Sequence, residues 1–292
     1  MLGTSEIRGL LASSLVAVLL VGCGGGDSAE NAPAATETAA APAENPVDAA
    51  TAGNIHGTIK FTGTAPKAVA IDMADEPTCQ TATGGTAVIE DVVVGADGGL
   101  ANVFVYVKSG IDPALKFPVG PGKEIDQQGC QYHPHVIGLQ AGEQLTVKNG
   151  DPVLHNINAT PTTNRGFNRS QPQAGMTFET QFASDEIMIP VRCDVHGWMS
   201  AYIGVTSHPY HSVTAADGTF SLDRLPPGTY TLEAWHEKYG TATQEVTVAT
   251  GQTAEVTFEF DGKVAAEVPM GPVLLVDMHN GTLRRTTTLV QQ

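Results

Sequence analysis

The 292-residue chain carries 31 acidic and 15 basic side chains, which gives a net charge of −16 with histidine neutral. Because so acidic a surface repels polyanions, it argues against nucleic acid and anionic lipid headgroups as partners. It permits a basic protein partner, although solubility alone would also account for the charge.

Residues 1–22 have the pattern of an export signal. Arg8 precedes an apolar run over residues 9–21, which is shorter than a membrane-spanning helix requires. The run ends in Leu-Val-Gly followed by Cys23, which resembles the bacterial lipobox. The resemblance implies cleavage before Cys23 and lipidation of its sulfur. A plain secretory signal with a chance cysteine is the alternative.

Residues 23–53 are rich in Ala, Pro, Glu and Thr and contain no aromatic side chain. Such a segment buries too little apolar surface to offset its ordering entropy, so we expect a disordered tether. Gly24 stands where sorted lipoproteins retained in the inner membrane carry aspartate. By that resemblance, we expect an exported, lipid-anchored protein that faces the periplasm, at the inner face of the outer membrane.

The remaining chain, roughly 240 residues, is long enough for one large or two ordinary domains. Short β-branched or alternating runs bounded by turn residues recur along it, and no amphipathic helix of ordinary length is evident. This pattern predicts an all-β fold with a sandwich over residues 54–206 and a smaller one over 207–261. Residues 262–292 form a tail for which the pattern gives no assignment. The predicted strands are 54–61, 101–107, 144–148, 176–182, 186–192, 201–205, 219–222, 229–235, 244–248 and 254–260.

The second block contains hairpin turns at Asp217-Gly218 and at Pro226-Pro227-Gly228. The string from Ala216 to Trp235 resembles the carboxypeptidase regulatory-like, transthyretin-like module. The resemblance implies a small accessory β-sandwich of structural importance, without peptidase chemistry.

The motif that carries chemistry is Cys193-Asp-Val-His196-Gly-Trp-Met199, with His155 upstream. A thiolate, two imidazoles and a thioether suit copper in both of its oxidation states. Ligands at the first, fourth and seventh positions of a tight loop between two strands can converge on one centre. His155 would reach that centre from a different strand end.

This pattern resembles the cupredoxins, or blue copper proteins, which are Greek-key sandwiches, and the loop spacing is closest to that of amicyanin. The resemblance implies one copper per chain in a trigonal set of His155, Cys193 and His196, with Met199 as the axial ligand. It implies that Asn156 ties the two ligand segments together. It also implies a His196 at the solvent edge, where it would serve as the exit route for electrons.

Two positions bear on that resemblance. Arg192 replaces the aromatic residue that usually precedes the ligand cysteine, which places a charge close to the metal. The binuclear site of cytochrome oxidase subunit II has a similar loop ending, but it needs a second cysteine where this chain has Ile189. One copper is therefore the most that the loop supports.

If Cys23 is lipidated, three cysteines remain in an oxidising compartment. A disulfide between Cys79 and Cys130 leaves Cys193 as the odd thiol, which a metal would explain. The rival pairings of Cys193 would destroy the copper site. His133 and His135 share a face at strand spacing and could hold a second metal, but ordinary hydrogen-bonded histidines explain them better.

The leading functional hypothesis is one-electron transfer to or from a redox protein such as a cytochrome. The alternatives are a copper carrier or chaperone that delivers Cu(I) to a receiving protein, and a metal-free binding module of two sandwiches. The protein is not expected to be an enzyme, because the sequence shows no nucleophile with a base, no paired carboxylates and no second copper centre.

Overall fold

The computed structural model describes residues 45–264, 274–276 and 283–285. Residues 1–44, which include the predicted signal and Cys23, lie outside this range, as does most of the predicted tail. In chain order the elements are β1 (Gly53–Phe61), α1 (Pro77–Thr83), β2 (Phe104–Ser109), β3 (Lys123–Gln128), β4 (Gln131–His133), β5 (Val136–Gln140), β6 (Gln144–Asn149), β7 (His155–Ala159), β8 (Phe167–Gln171), β9 (Thr177–Gln181), β10 (Glu186–Arg192), β11 (Ser200–Thr206), β12 (His211–Val213), β13 (Thr219–Leu225), β14 (Gly228–His236), β15 (Gly240–Val248), β16 (Thr253–Phe260), β17 (Leu274–Val276) and β18 (Leu283–Arg285).

The first sandwich consists of a four-stranded sheet in the order β4-β3-β6-β9 and a five-stranded sheet in the order β5-β11-β10-β7-β8. Alternate side chains of β6 are buried, as expected for a strand with one face on a core. Ile125, Leu145, Ile157 and Ile203 lie in the shared core and are fully buried. Burial of such side chains contributes about 1.5–3 kcal/mol each, so this core supports a sandwich of its own.

The second sandwich consists of sheets in the order β13-β1-β16 and β12-β2-β14-β15. Its core includes the fully buried Ile55, Ile59 and Leu232. At the predicted Asp-Gly turn, Gly218 has a φ of 74°. A Cβ on Gly218 would lie 2.3 Å from the Ile59 carbonyl oxygen, so only glycine fits there.

The all-β prediction of two sandwiches is confirmed, but the prediction that the first sandwich begins at residue 54 is wrong. β1 lies between β13 and β16, and β2 lies between β12 and β14. The second sandwich therefore includes strands from residues 53–109, and the first sandwich is inserted between β2 and β12. An alternating strand pattern shows which side chains are buried, but not which distant strand is its partner.

One further expectation differs from the structure. The tether predicted to reach residue 53 ends earlier, because Val47 is buried and its carbonyl accepts a hydrogen bond of 3.1 Å from Arg224.

A short helix, α1, begins at Pro77, which suits the first position of a helix. Seven residues are too few for helical periodicity to show in the sequence. In the region of the predicted tail, β17 and β18 pair antiparallel.

The two sandwiches share a small apolar contact centred on Phe104. Gly138 and Gly204 are partners in the β5–β11 pairing. A Cβ on Gly138 would lie 2.7 Å from the Phe104 ring, and a Cβ on Gly204 would lie 2.6 Å from it. The two glycines thus make the space into which Phe104 of the second sandwich packs against the first.

A buried ion pair between His135 and Glu237 also connects the sandwiches. The other ring nitrogen of His135 bonds the Ser200 carbonyl at 3.1 Å, whereas His133 is exposed and bonds the Gln128 carbonyl. His133 and His135, which the sequence offered as a possible second metal site, thus each bond to separate protein groups. Burial lowers the pKa of His135, but the hydrogen bond and charge of Glu237 outweigh it, so the pKa lies above its ordinary value.

The change of Glu237 to Gln is expected to cost about 3 kcal/mol of unfolding free energy near pH 6, because it leaves a buried imidazolium without its partner. The difference from wild type should be largest below the ordinary histidine pKa of about 6.5 and be lost as the pH rises through the raised pKa. Urea unfolding between about pH 5.5 and 9 measures it. Glu259→Gln, at an exposed position of β16, is the control. An equal cost at every pH would contradict the prediction.

Candidate metal centre

The predicted ligand loop, residues 193–199, joins two paired strands. β10 and β11 are antiparallel neighbours, with Arg192 opposite Ser200. The Cys193 amide donates to the Met199 carbonyl at 3.2 Å, and the Met199 amide donates to the His196 carbonyl at 2.9 Å. The His196 amide donates to the Cys193 sulfur at 3.3 Å. These bonds fold the loop back so that its first and fourth side chains face the same centre.

His155 reaches the same place from β7. This strand pairs with β10, with Asn158 opposite Arg192. The Nδ1 atoms of His155 and His196 are 3.0 Å apart. The donor atoms of His155, Cys193 and His196 all lie within 4.8 Å of one another, and all three residues are buried. Met199 is also buried, in the same core cluster. The structure thus brings three of the predicted ligands together and places the fourth in the core at the end of their loop.

Asp151 orients His155, and the sequence reasoning missed this residue. Its Oδ2 lies 2.9 Å from Nε2 of His155, so the opposite nitrogen faces Cys193. Asp151 also accepts amide hydrogen bonds from Gly129 at 2.9 Å and Cys130 at 2.8 Å. Burial raises the pKa of Asp151, but the hydrogen bonds from His155 and the two amides outweigh it, so the pKa lies below its ordinary value. The feature of the sequence that could have indicated this role is a carboxylate four residues before His155.

Asn156 links the two ligand segments. Its side-chain oxygen accepts a hydrogen bond of 2.5 Å from the Asp194 amide, next to Cys193. Its side-chain nitrogen donates to Asn168 at 2.6 Å and to the Asp194 carboxylate at 3.2 Å. Because Asn156 and Asp194 each follow a candidate ligand directly, these bonds fix the spacing of His155 and Cys193.

Arg192 forms an ion pair with Asp194. Its Nε is 3.1 Å from the Asp194 carboxylate, and both side chains are exposed. Hydrogen bonds from Asn158, Asn168 and Arg192 lower the pKa of Asp194 to about 2. The positive charge that the sequence places beside the metal ligand is therefore paired with a carboxylate at the surface.

Cys193 is the free thiol among the described cysteines, since Cys79 and Cys130 form the expected disulfide. Burial raises the pKa of the Cys193 thiol, but hydrogen bonds from His155 and from the backbone of Asn156, His196 and Val195 outweigh it. The pKa therefore lies below its ordinary value. A thiolate is the form of cysteine that binds metals.

The expectation of a solvent-edge His196 is wrong, because only 2% of this residue is exposed. Its Nε2 lies 3.8 Å from the Cys79 sulfur and 4.0 Å from the Glu76 carboxylate. Both contacts come from residues 62–90, which we call the cover segment and which carries α1. The ligand loop resembles that of amicyanin, but no pattern within the loop reveals a cover supplied by a distant segment.

Trp198 anchors the ligand loop beside this cover. Its indole N–H donates to the Cys130 carbonyl at 2.9 Å, and its ring centroid lies 5.2 Å from that of His196. The side chain is half-buried. These contacts both anchor the ligand loop and shield His196.

The donors fit a copper ion. One ion with metal–nitrogen bonds of about 2 Å can join two nitrogens that are 3.0 Å apart. Imidazole and thiolate are ligands that copper prefers, and a buried thioether is available as a weak further donor. The hydrogen bond between His155 and Asp151 leaves the nitrogen that faces the centre free for a metal.

Comparison with known families identifies one domain in the C-terminal part of the chain. Residues 200–261 match the carboxypeptidase regulatory-like domain family. No curated protein matches the chain. In the described part of the chain, no helix has the length and hydropathy needed to cross a membrane.

Solved structures similar to the chain include three copper or cupredoxin proteins. A copper-containing nitrite reductase from Thermus scotoductus SA-01 is 15% identical with a TM-score of 0.28, over 34% of this chain and 25% of that chain. A purple cupredoxin from Nitrosopumilus maritimus is 22% identical with a TM-score of 0.25, over 28% of this chain and 98% of that chain. An oxidised amicyanin variant is 14% identical with a TM-score of 0.27, over 35% of this chain and 98% of that chain. The first sandwich thus has two sheets and a His-Cys-His cluster, and residues 200–261 are similar to the carboxypeptidase regulatory-like domain.

Proposed function

We propose that this protein holds one copper ion through His155, Cys193, His196 and Met199 and transfers single electrons. The observation that carries the proposal is the buried cluster of one thiol and two imidazoles within 4.8 Å. Copper bound there would supply a one-electron couple between its two oxidation states. The protein would act as an electron carrier without being an enzyme.

The surrounding residues would hold this centre rigid. Asp151 fixes the ring orientation of His155, and Asn156 fixes the distance between the two ligand segments. Burial of all three donors keeps water out of the centre. A site whose ligands are held before the metal arrives changes little when its charge changes, which favours fast electron exchange.

Because the cover segment buries His196, we place the docking face for a redox partner at the exposed residues beside the two ligand histidines. Val195 and Leu154, which precede the two ligand histidines, are 46% and 43% exposed. Exposed aliphatic side chains next to a buried metal suit brief contact with a redox protein such as a cytochrome. The acidic charge of the chain favours a partner with a basic surface.

A second candidate function is copper carriage, and the cover segment favours it. Cys79 and Glu76 lie over the ligand His196, so electrons have a longer path from the metal to a partner on this side. The same cover would help to retain the metal. The receiving protein would then have to displace the cover or approach from the side of Val195.

The visible spectrum of the purified mature protein with Cu(II) tests the proposal. An intense charge-transfer band with a reversible one-electron couple supports electron transfer. A weak band with preferential uptake of Cu(I) supports carriage. A protein that stays colourless and metal-free in excess copper would leave a metal-free module of two sandwiches.

We further propose that the lipid on Cys23 holds the protein at a membrane facing the periplasm. The change of Cys23 to Ser is expected to release most of the protein into the soluble fraction, because lipid attachment is lost. Fractionation of cells that express the two forms in parallel measures the release. Retention of the Cys23→Ser form in membranes would contradict lipid anchoring.

A further inference from the structure

His196 lies between two sets of potential ligands. Its Nδ1 faces Nδ1 of His155 at 3.0 Å, within the proposed copper site. Its Nε2 lies 3.8 Å from the Cys79 sulfur, on the opposite side of the ring. A neutral imidazole has one nitrogen that can bind a metal and one that carries a proton, so His196 can serve either set, and it serves both at once only after losing its N–H proton.

The second set consists of Cys79, Cys130 and His196. Their donor atoms lie within 4.8 Å of one another, and all three residues are buried. While the two sulfurs are joined as a disulfide, neither is a thiolate, and the set binds metals poorly. Cleavage of the sulfur–sulfur bond would give two thiols beside a free imidazole nitrogen.

We propose that this set is a latent Cu(I) site that forms when the disulfide is reduced. A dithiol supplies two electrons and two protons: the sulfur–sulfur bond breaks, Cys79 and Cys130 become thiols, and the dithiol becomes a disulfide. One Cu(I) ion then displaces both thiol protons and binds the two thiolates. Nε2 of His196 becomes the third ligand, and where Nδ1 already holds copper the N–H proton of the ring passes to solvent. Soft thiolate ligands select Cu(I).

The cover segment gives a reductant its route to the buried disulfide. Within residues 62–90, only Met73, Cys79 and Ala87 are buried. The residue before α1, Glu76, makes no side-chain capping bond to the helix. Segments with so few buried contacts open locally at low free energy. The Glu76 carboxylate, 4.0 Å from Nε2 of His196, would also attract a cation to this side of the ring.

This inference rests on the proposed function only in that both sites use His196. The second set lies next to the proposed copper site, and two Cu(I) ions would share the imidazole of His196 once its N–H proton has left. The reduced protein would then hold more Cu(I) than the oxidised protein, a property suited to copper carriage.

Counting Cu(I) ions in the full chain tests the inference. Every form carries Cys23→Ser, so that the thiol at position 23 adds no ligand. Cu(I) alone is added to the oxidised and the dithiol-reduced protein, and the amount retained against a Cu(I) chelator is measured after the dithiol is removed without air. We expect one Cu(I) per chain in the oxidised form and two in the reduced form. The Cys79→Ser/Cys130→Ser double variant should retain one under both conditions.

A second measurement covers the case in which the double variant fails to fold. Alkylation of Cys79 and Cys130 in the reduced wild-type chain, followed by mass spectrometry, should be slowed at least ~10-fold by Cu(I). An equal Cu(I) count in both redox forms with unprotected thiols would overturn the latent site. A second copper that persists in the folded double variant would also overturn it. Loss of copper from the oxidised form alone would refute the proposed function and leave the latent site standing.

Discussion

Replacing Cys193 by Ser is expected to abolish the visible charge-transfer band and the tight binding of copper. The band would arise from a bond between Cu(II) and the Cys193 thiolate, which the surrounding hydrogen bonds favour. A serine hydroxyl is a hard ligand and stays protonated near neutral pH, so it cannot replace the thiolate. Absorption spectra and copper counts of the metal-loaded proteins measure the loss.

Met199→Leu is the matched control for this prediction. It changes another buried side chain of the same loop, with little change in volume. We expect it to keep the band and the copper and to raise the reduction potential, because loss of a weak axial donor destabilises Cu(II) more than Cu(I). A Cys193→Ser protein that retained the band would exclude the proposed ligand set.

The double change of Cys79 and Cys130 to Ser is expected to lower the free energy of unfolding by about 4 kcal/mol in metal-free protein. The disulfide joins residues separated by 51 positions, and on the loop-entropy model its loss gives the unfolded chain more freedom. It also releases the cover segment, whose other buried side chains in residues 62–90 are Met73 and Ala87. Urea unfolding followed by circular dichroism measures the change.

The metal-free wild type kept in a dithiol serves as the control for the serine substitutions. It should unfold at nearly the same urea concentration as the double variant, because both lack the cross-link. A loss below about 1 kcal/mol in both would show that the unfolded chain is already compact around this region.

Sequence patterns identified the strands that have one buried and one exposed face. β6 was predicted within one residue because its buried side chains alternate with more exposed ones. β4 and β8 were missed because their side chains are largely polar. Both lie at the edges of their sheets, where a strand needs little apolar surface.

The ligand set was predictable for a similar reason. Cys193, His196 and Met199 stand on one short loop, so their spacing in the sequence already constrains their distances in space. The positions of Asp151 and Cys79 depend on contacts between distant segments, which no local pattern contains. The burial of His196 depends on the same contacts, and it changes which surface an electron partner can use.

The parallel pairing of β1 with β16 joins residues far apart in the chain, such as Asn54 and Thr253. During synthesis, β1 would remain without its partner strands until nearly the whole folded region had emerged from the ribosome. Closing so large a loop is slow, and an unpaired strand of this length is an aggregation hazard in the meantime. A chaperone that binds extended apolar segments would therefore be expected to raise the yield of the full-length protein, whereas a fragment truncated before β16 should accumulate as aggregate.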